Sequence, residues 1–208
     1  MRVLGPGENG AHTEYPPGLF QLPLDWSSDG HWIAYQTSGG DVATEIWFAS
    51  AGEDRKLYPV IQKPPFNSAS PAFSPDGKYL AFSSNEAGQQ EVYVQPIEFG
   101  PPPRTTGDRV RVSLNGGTVP RWRRDGGELF FLSPDLGVMA CAVERGASPK
   151  FANPVRVVSL PASINTMNPA GVKFDGDATG TRFLVLNRTR PTTDRLQVIL
   201  NWQAMLKP

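Results

Sequence analysis

The residues able to do chemistry in this chain are few. Its histidines are His12 and His31, and its only cysteine is Cys141. That inventory excludes a three-histidine metal site, any multi-cysteine metal site and an internal disulfide. Cys141 lies in the apolar run Val138-Met139-Ala140-Cys141-Ala142-Val143, the setting of a buried structural thiol rather than a nucleophile. His31 directly follows Asp29-Gly30 and reads as a solvated turn residue. A serine nucleophile would need Gly-x-Ser-x-Gly on a strand-to-helix elbow; that pattern is absent, and the sequence offers almost no helix to follow one.

Three further constellations carry charge or shape. Asp175 and Asp177, in Phe174-Asp175-Gly176-Asp177-Ala178-Thr179-Gly180, have spacing similar to a calcium loop, but the closing Glu is missing and turn chemistry explains them. Arg121, Trp122, Arg123 and Arg124 form a short basic cluster suited to an anion or to a partner's carboxylates. Strand alternation sets Arg121 and Arg123 opposite Trp122, and charge pairs with Asp125 and Glu128 are the ordinary use of such a cluster. Gly100-Pro101-Pro102-Pro103-Arg104 can meet a partner through polyproline geometry, or simply form a stiff exposed connection. On these grounds no residue is assigned a catalytic, cofactor-binding or metal-ligating role, and no cofactor is expected.

Composition narrows the partners. Twenty basic and twenty acidic residues cancel, whereas a nucleic-acid binder shows a basic excess or face, so none is expected. No apolar run reaches the roughly 18 residues of a membrane span. Met1 to Gly10 lacks the apolar stretch of a secretory signal, which taken alone points to the cytoplasm. Gly and Pro supply 21 residues each of 208, about one in five against an ordinary one in eight. Apolar clusters separated by these turn formers mean many short strands.

The strands repeat. Leu24-Asp25-Trp26-Ser27-Ser28-Asp29-Gly30, Pro71-Ala72-Phe73-Ser74-Pro75-Asp76-Gly77 and Pro120-Arg121-Trp122-Arg123-Arg124-Asp125-Gly126 align, with Asp29, Asp76 and Asp125 spaced 47 and 49 residues apart. A fourth copy is read through Phe174, a longer turn from Asp175 to Gly180, and Thr181 to Leu186, with Gly180 lying 54 residues beyond Gly126. In each copy an aromatic (Trp26, Phe73, Trp122, Phe174) ends a strand and points to the core. Asp then bonds nearby backbone N–H groups and Gly takes the positive φ of a type I turn with a bulge.

Further strands are expected at Glu45–Ala49 and Arg55–Tyr58, at Glu91–Gln95 and Arg109–Ser113, at Gly137–Val143 and Val155–Ser159, and at Leu196–Trp202. Four antiparallel strands per period of about fifty residues describe a β-propeller blade. The expected fold is therefore all-β: four blades over about 21–60, 69–114, 117–160 and 169–208, the last short of a strand. Residues 1–20 form a loose segment in which Met1–Leu4 is a candidate closing strand. The ring is either completed by that strand or belongs to a larger propeller.

The stretch Ser74-Pro75-Asp76-Gly77-Lys78-Tyr79-Leu80-Ala81-Phe82 resembles the WD-repeat-like blades of TolB-type propellers. Pro120-Arg121-Trp122-Arg123-Arg124-Asp125-Gly126, with the closing Leu200-Asn201-Trp202, resembles more narrowly the C-terminal propeller of bacterial, eukaryotic-like serine/threonine protein kinases. That resemblance covers roughly residues 21 to 208 and implies a non-catalytic interaction or ligand-sensing module. In that family a kinase and commonly a membrane helix precede the propeller, which implies a location outside the cytoplasm. No Gly-rich phosphate loop or His-Arg-Asp loop occurs here, and Phe174-Asp175-Gly176 is not a kinase metal-binding tripeptide. The protein or small-molecule ligand is left open. The competing readings are the propeller part of a prolyl-oligopeptidase-like hydrolase, a propeller hydrolase or lyase with carboxylates at the channel mouth, and a non-autonomous portion of a larger propeller.

Overall fold

One four-residue turn, repeated, organises the chain. In the computed structural model, which describes residues 20–39, 41–52, 56–100, 102–144, 149–160 and 174–185, Ser27, Ser74, Arg123 and Asp177 each open such a turn. The carbonyls of these residues accept from Gly30, Gly77, Gly126 and Gly180 at 2.8–3.0 Å. Their amides donate to Trp32, Tyr79, Glu128 and Arg182 at 2.8–2.9 Å. The four glycines have φ between 70° and 75°, a region that costs a side chain roughly 1–2 kcal/mol. Ser27 and Ser74 stiffen their turns by donating to Asp29 and Asp76 at 2.6 Å.

Each turn joins the first two strands of a sheet. The first sheet is β1 (Phe20–Trp26), β2 (Trp32–Gly39), β3 (Val42–Ser50) and β4 (Leu57–Ile61), antiparallel and in chain order. The second holds β5 (Ser68–Phe73), β6 (Tyr79–Ser84) and β7 (Glu91–Glu98), with its outer strand in two pieces, β8 (Arg104–Thr105) and β9 (Val110–Arg111). The third repeats this plan with β10 (Thr118–Trp122), β11 (Glu128–Leu132), β12 (Gly137–Glu144), β13 (Lys150–Phe151) and β14 (Val155–Ser159). A last hairpin pairs β15 (Phe174–Gly176) with β16 (Phe183–Val185). These are the blades of a β-propeller. Met1–Leu4 and Leu196–Trp202 lie outside the described residues.

The core sits between blades. Ala34, Ile46, Phe48 and Ile61 of the first blade meet Phe73, Leu80, Phe82 and Tyr93 of the second. The second blade's other face, Ala81, Val92 and Val94, meets Leu129, Phe131 and Cys141 of the third. Phe130, Leu132 and Val138 then turn to Phe174. Neighbouring residues such as Leu80 and Ala81 thus serve opposite interfaces, because strand side chains alternate. Sheets covered on both faces read as continuous apolar runs, as these do.

Four expectations need correction. In the fourth copy the turn is not lengthened: Asp177 to Gly180 has the same hydrogen bonds as the others. Gly176, not Phe174, therefore stands where Trp26, Phe73 and Trp122 stand. Phe174 is two residues earlier, buried against Phe130 and Phe183. Trp26 does not enter the core but is 54% exposed. The stretch expected at Arg109–Ser113 is regular strand only over Val110–Arg111, although Val112 N still donates to the Val92 carbonyl at 2.8 Å, and the two-residue pieces β8 and β13 were not anticipated. The Gln95 amide spans the break, donating to the carbonyls of Thr106 and Gly107 at 2.8 and 3.0 Å.

The start of β7 is anchored by a buried carboxylate. Glu91, 1% exposed, accepts from the Ser113 hydroxyl, from Gly116 N at 3.1 Å and from Gln89 Nε2 at 2.7 Å. Ser113 Oγ in turn accepts from Val92 N at 2.7 Å. Glu91→Ala orphans these donors in a dry site, at an expected cost of about 2–4 kcal/mol. Thermal denaturation should show a Tm drop of roughly 4–15 °C, and a smaller one for Glu91→Gln, which keeps one acceptor oxygen. An unchanged Tm in the Ala variant contradicts the anchoring role.

Candidate functional site

The residue just before the end of each inner strand occupies one structural position, held in turn by Asp25, Ala72, Arg121 and Asp175. Register places a bulge immediately upstream in the first three blades: between Pro23 and Asp25, between Ala69 and Ala72, and between Thr118 and Arg121. Two of these bulges hold non-glycine residues at positive φ, Ser70 at 56° and Val119 at 52°. A β-branched residue there is a true outlier, and such strain together with bulges concentrates where a side chain must be re-aimed.

Bulging brings side chains from non-adjacent blades together. Asp25, Arg121 and Asp175, from the first, third and last sheets, feel one another's charge. The inner strands pack in series, β1 against β5, β5 against β10 and β10 against β15, around what in a propeller is the central axis. Burial is the main influence on Asp25 and raises its pKa, opposed by the amides of Phe73 and Trp26 and by Arg121, and reinforced by Asp175. Burial likewise lowers the pKa of Arg121, while Asp25 and Asp175 act to raise it.

The two main members of this cluster differ in their commitments. Both oxygens of Asp25 are engaged by backbone, Oδ1 accepting from Trp26 N at 2.9 Å and Oδ2 from Phe73 N at 2.7 Å. The second contact ties the first blade to the second. Arg121 donates from Nη1 to the carbonyl of Pro120 at 2.8 Å, and among the described residues no carboxylate lies within ion-pairing distance of it. Among the described residues its remaining guanidinium N–H groups have no acceptor. Ala72 breaks the polar ring, but its carbonyl accepts from Trp122 Nε1 at 3.2 Å, tying the second blade to the third.

The other candidates resolve as follows. Arg123 lies past the strand end, in the turn, and pairs with Asp125 and Glu128 at 2.7 Å each. Arg121 and Arg123 therefore do different work, and Arg124 is exposed. His31 is exposed, its amide donating to Asp29 at 2.9 Å. Asp175 Oδ1 accepts from Gly176 N at 2.9 Å. Asp177 accepts from Thr179 Oγ1, Thr181 N and Arg182, and the Arg182 contact above all holds its carboxyl well below the ordinary range. Of the Pro-rich connection, Pro103 is buried and Pro102 exposed; Pro101 and His12 lie outside the described residues. Asp25 was not singled out in the sequence, although its repeat position marks it.

Cys141 is fully buried between the second and third blades, and burial pushes its pKa to about 12. A thiol of that kind should stay silent to Ellman's reagent at pH 8 in the folded protein and react once denatured. Prompt native reaction contradicts the packing. For Asp25, burial raises the folded pKa above the ordinary 3.8, so the fold binds the proton more readily than the unfolded chain does. Its stabilising contribution is then fully present below about pH 4 and declines as pH rises through the raised value. Asp25→Ala, which orphans Phe73 N, is expected to cost about 1–3 kcal/mol at acid pH. The gap in Tm from wild type should narrow towards pH 7; a gap that widens with pH contradicts this reading.

No family model matches the chain, and no curated protein matches it. Among solved structures it is similar to the putative TolB from Agrobacterium tumefaciens, at 18% identity and a TM-score of 0.50, over 68% of this chain and 52% of that one. It is also similar to TolB from Acinetobacter baumannii, at 16% identity and a TM-score of 0.53, over 82% of this chain and 43% of that one. The chain thus spans about half the length of the TolB structures it matches. At these identities the likeness is one of fold, and in fold the chain is a β-propeller of the TolB type.

Proposed function

We propose that this chain is a non-catalytic recognition module, one repeat domain over residues 21–208 that binds an acceptor-bearing ligand or protein partner at its axis. In relatives the module is attached to a signalling serine/threonine kinase, on the far side of a membrane helix. The observation carrying the binding role is Arg121. It is a half-buried guanidinium that follows a strained bulge, bonds only the neighbouring Pro120 carbonyl among the described residues, and leaves donors unmatched. Burying a cation without a close partner opposes folding, and sites that oppose folding are commonly kept for binding. The kinase attachment is supported by the sequence likeness from Pro120 to Gly126 and at Leu200-Asn201-Trp202.

A hydrolase or lyase reading draws on one observation, the meeting of two carboxylates at the axis with Asp25 raised. A raised carboxyl beside a second one is the ordinary arrangement of an acid–base pair. Here, however, both Asp25 oxygens are engaged by backbone amides. Proton transfer through them would loosen the joint between the first two blades. Recognition is the better-supported role.

Arg121→Met separates binding from structure. Replacing a half-buried charge that lacks a close ion-pair partner by an apolar side chain is expected to leave stability unchanged or raise it by up to about 1 kcal/mol. Thermal-shift screening with inorganic phosphate and acidic hexapeptides should stabilise the wild type, by about 2.7 kcal/mol at a hundredfold excess over Kd, and should not stabilise the variant. A variant that loses several degrees of Tm assigns Arg121 to the scaffold instead. Turnover in a hydrolysis panel that survives repurification overturns the non-catalytic reading.

A further inference from the structure

The junctions between blades are built from the same parts and can be compared with one another. At each, the residue closing the turn of one blade faces the last inner-strand residue and the turn glycine of the next. At the first junction these are Trp32, Phe73 and Gly77. The space between them is filled by Phe99, a residue that follows the end of β7. Its ring stacks on Trp32 at 5.9 Å with 8° between planes, and meets Phe73 edge-on at 5.5 Å. Gly77 leaves room for it: a Cβ there would stand 3.3 Å from the Phe99 ring.

At the second junction the equivalent residues are Tyr79, Trp122 and Gly126, and between them lies an open cleft of about 480 Å³. Val143 lines it where Ile97 lines the first, since Pro96 and Ala142 hold matching register positions. Counting three residues on from each, the position of Phe99 is taken in sequence by Arg145. The third blade's own ring in this region, Phe151, packs beside Trp122 at 6.3 Å and is not among the residues that line the cleft. Asp76, Lys78 and Asp125 border the opening.

The third junction is built differently. Glu128 and Gly176 replace the two aromatics, and a Cβ on Gly180 would stand 2.9 Å from Phe130 and 3.1 Å from Arg123. Among the described residues, the second junction alone combines two aromatic walls, a glycine and open space.

We infer that this cleft is a docking slot for an aromatic side chain of an extended partner segment, seated between Tyr79 and Trp122 as Phe99 is seated between Trp32 and Phe73. The occupant is a chain-borne ring because the filled copy receives its ring from a passing strand end, Glu98-Phe99-Gly100, and the open copy presents aromatic residues at the equivalent positions around an open cleft. Aromatic pairs prefer such stacked and edge-on arrangements. An anchor residue filling a preformed recess is the usual centre of a peptide-binding surface. Arg121 takes no part in this slot, so it is independent of the axial site.

The test uses the full chain and the protein's own plug. Acetylated Ile-Glu-Phe-Gly amide and its Leu counterpart are titrated in saturation-transfer NMR. Transfer concentrated on the phenylalanine ring, with at least fivefold weaker binding of the leucine peptide, is expected. Tyr79→Leu, which keeps bulk but removes the stacking face, should weaken the Phe peptide at least fivefold. Tyr79→Trp, which copies Trp32, should bind as well or better, and it carries the test should the Leu variant not fold. Equal binding of both peptides, indifference to both Tyr79 variants, or no saturable binding overturns the slot. Free phenylalanine binding as tightly as the peptide overturns its assignment to a polypeptide partner.

Discussion

Leu80-Ala81-Phe82 and Leu129-Phe130-Phe131 put apolar side chains at consecutive positions, so neither face of their sheets can be given to water. Burying such a side chain contributes about 1.5–3 kcal/mol relative to leaving it exposed, and truncating a buried phenylalanine costs roughly 3–5 kcal/mol. A single blade cannot collect those terms on both faces by itself. The stability of each sheet is therefore held jointly with its neighbours, as in other repeat architectures. Placement of every other side chain, including those at the axis, depends on that mutual cover.

Convergence of the inner strands poses a second problem, because their edges carry backbone groups with no next strand to pair them. Side chains from neighbouring blades answer it. Asp25 reaches Phe73 N, Gln36 Oε1 accepts from Ser70 N at 2.9 Å, and Trp122 reaches the Ala72 carbonyl. The bulges and the positive φ angles at Ser70 and Val119 belong to this stitching. Each such angle costs on the order of 1–3 kcal/mol and persists only where the surroundings enforce it. Arg121 sits two residues after Val119 and, among the described residues, returns no interblade bond, which separates it from the residues that merely join sheets.

Hairpins one to three are legible in the sequence because their turns require particular chemistry at particular places: an acceptor, an Asp and a Gly. The fourth misleads because Asp177 and Thr179 exchange the roles that Ser and Asp play in the first two, while Asp175-Gly176 imitates the turn's signature one step too early. Outer strands two residues long leave no periodic trace, so β8 and β13 escape any pattern reading. The axial cluster escapes for another reason. Asp25, Arg121 and Asp175 lie far apart in sequence, and only a comparison of the position before each inner strand's last residue joins them. The Tyr79–Trp122 slot needed still more, since its meaning comes from Phe99 filling the equivalent space one blade away.

The broken outer strands bear on how this molecule behaves in a crowd. An unbroken edge strand offers a row of free amides and carbonyls on which another chain can template a sheet. In the second and third blades that row is interrupted, and in the second Gln95 occupies carbonyls at the gap. A rim divided this way offers an incoming strand only the two residues of β8, β9 or β13, or the five of β14, before the ladder ends, which limits outward pairing between copies.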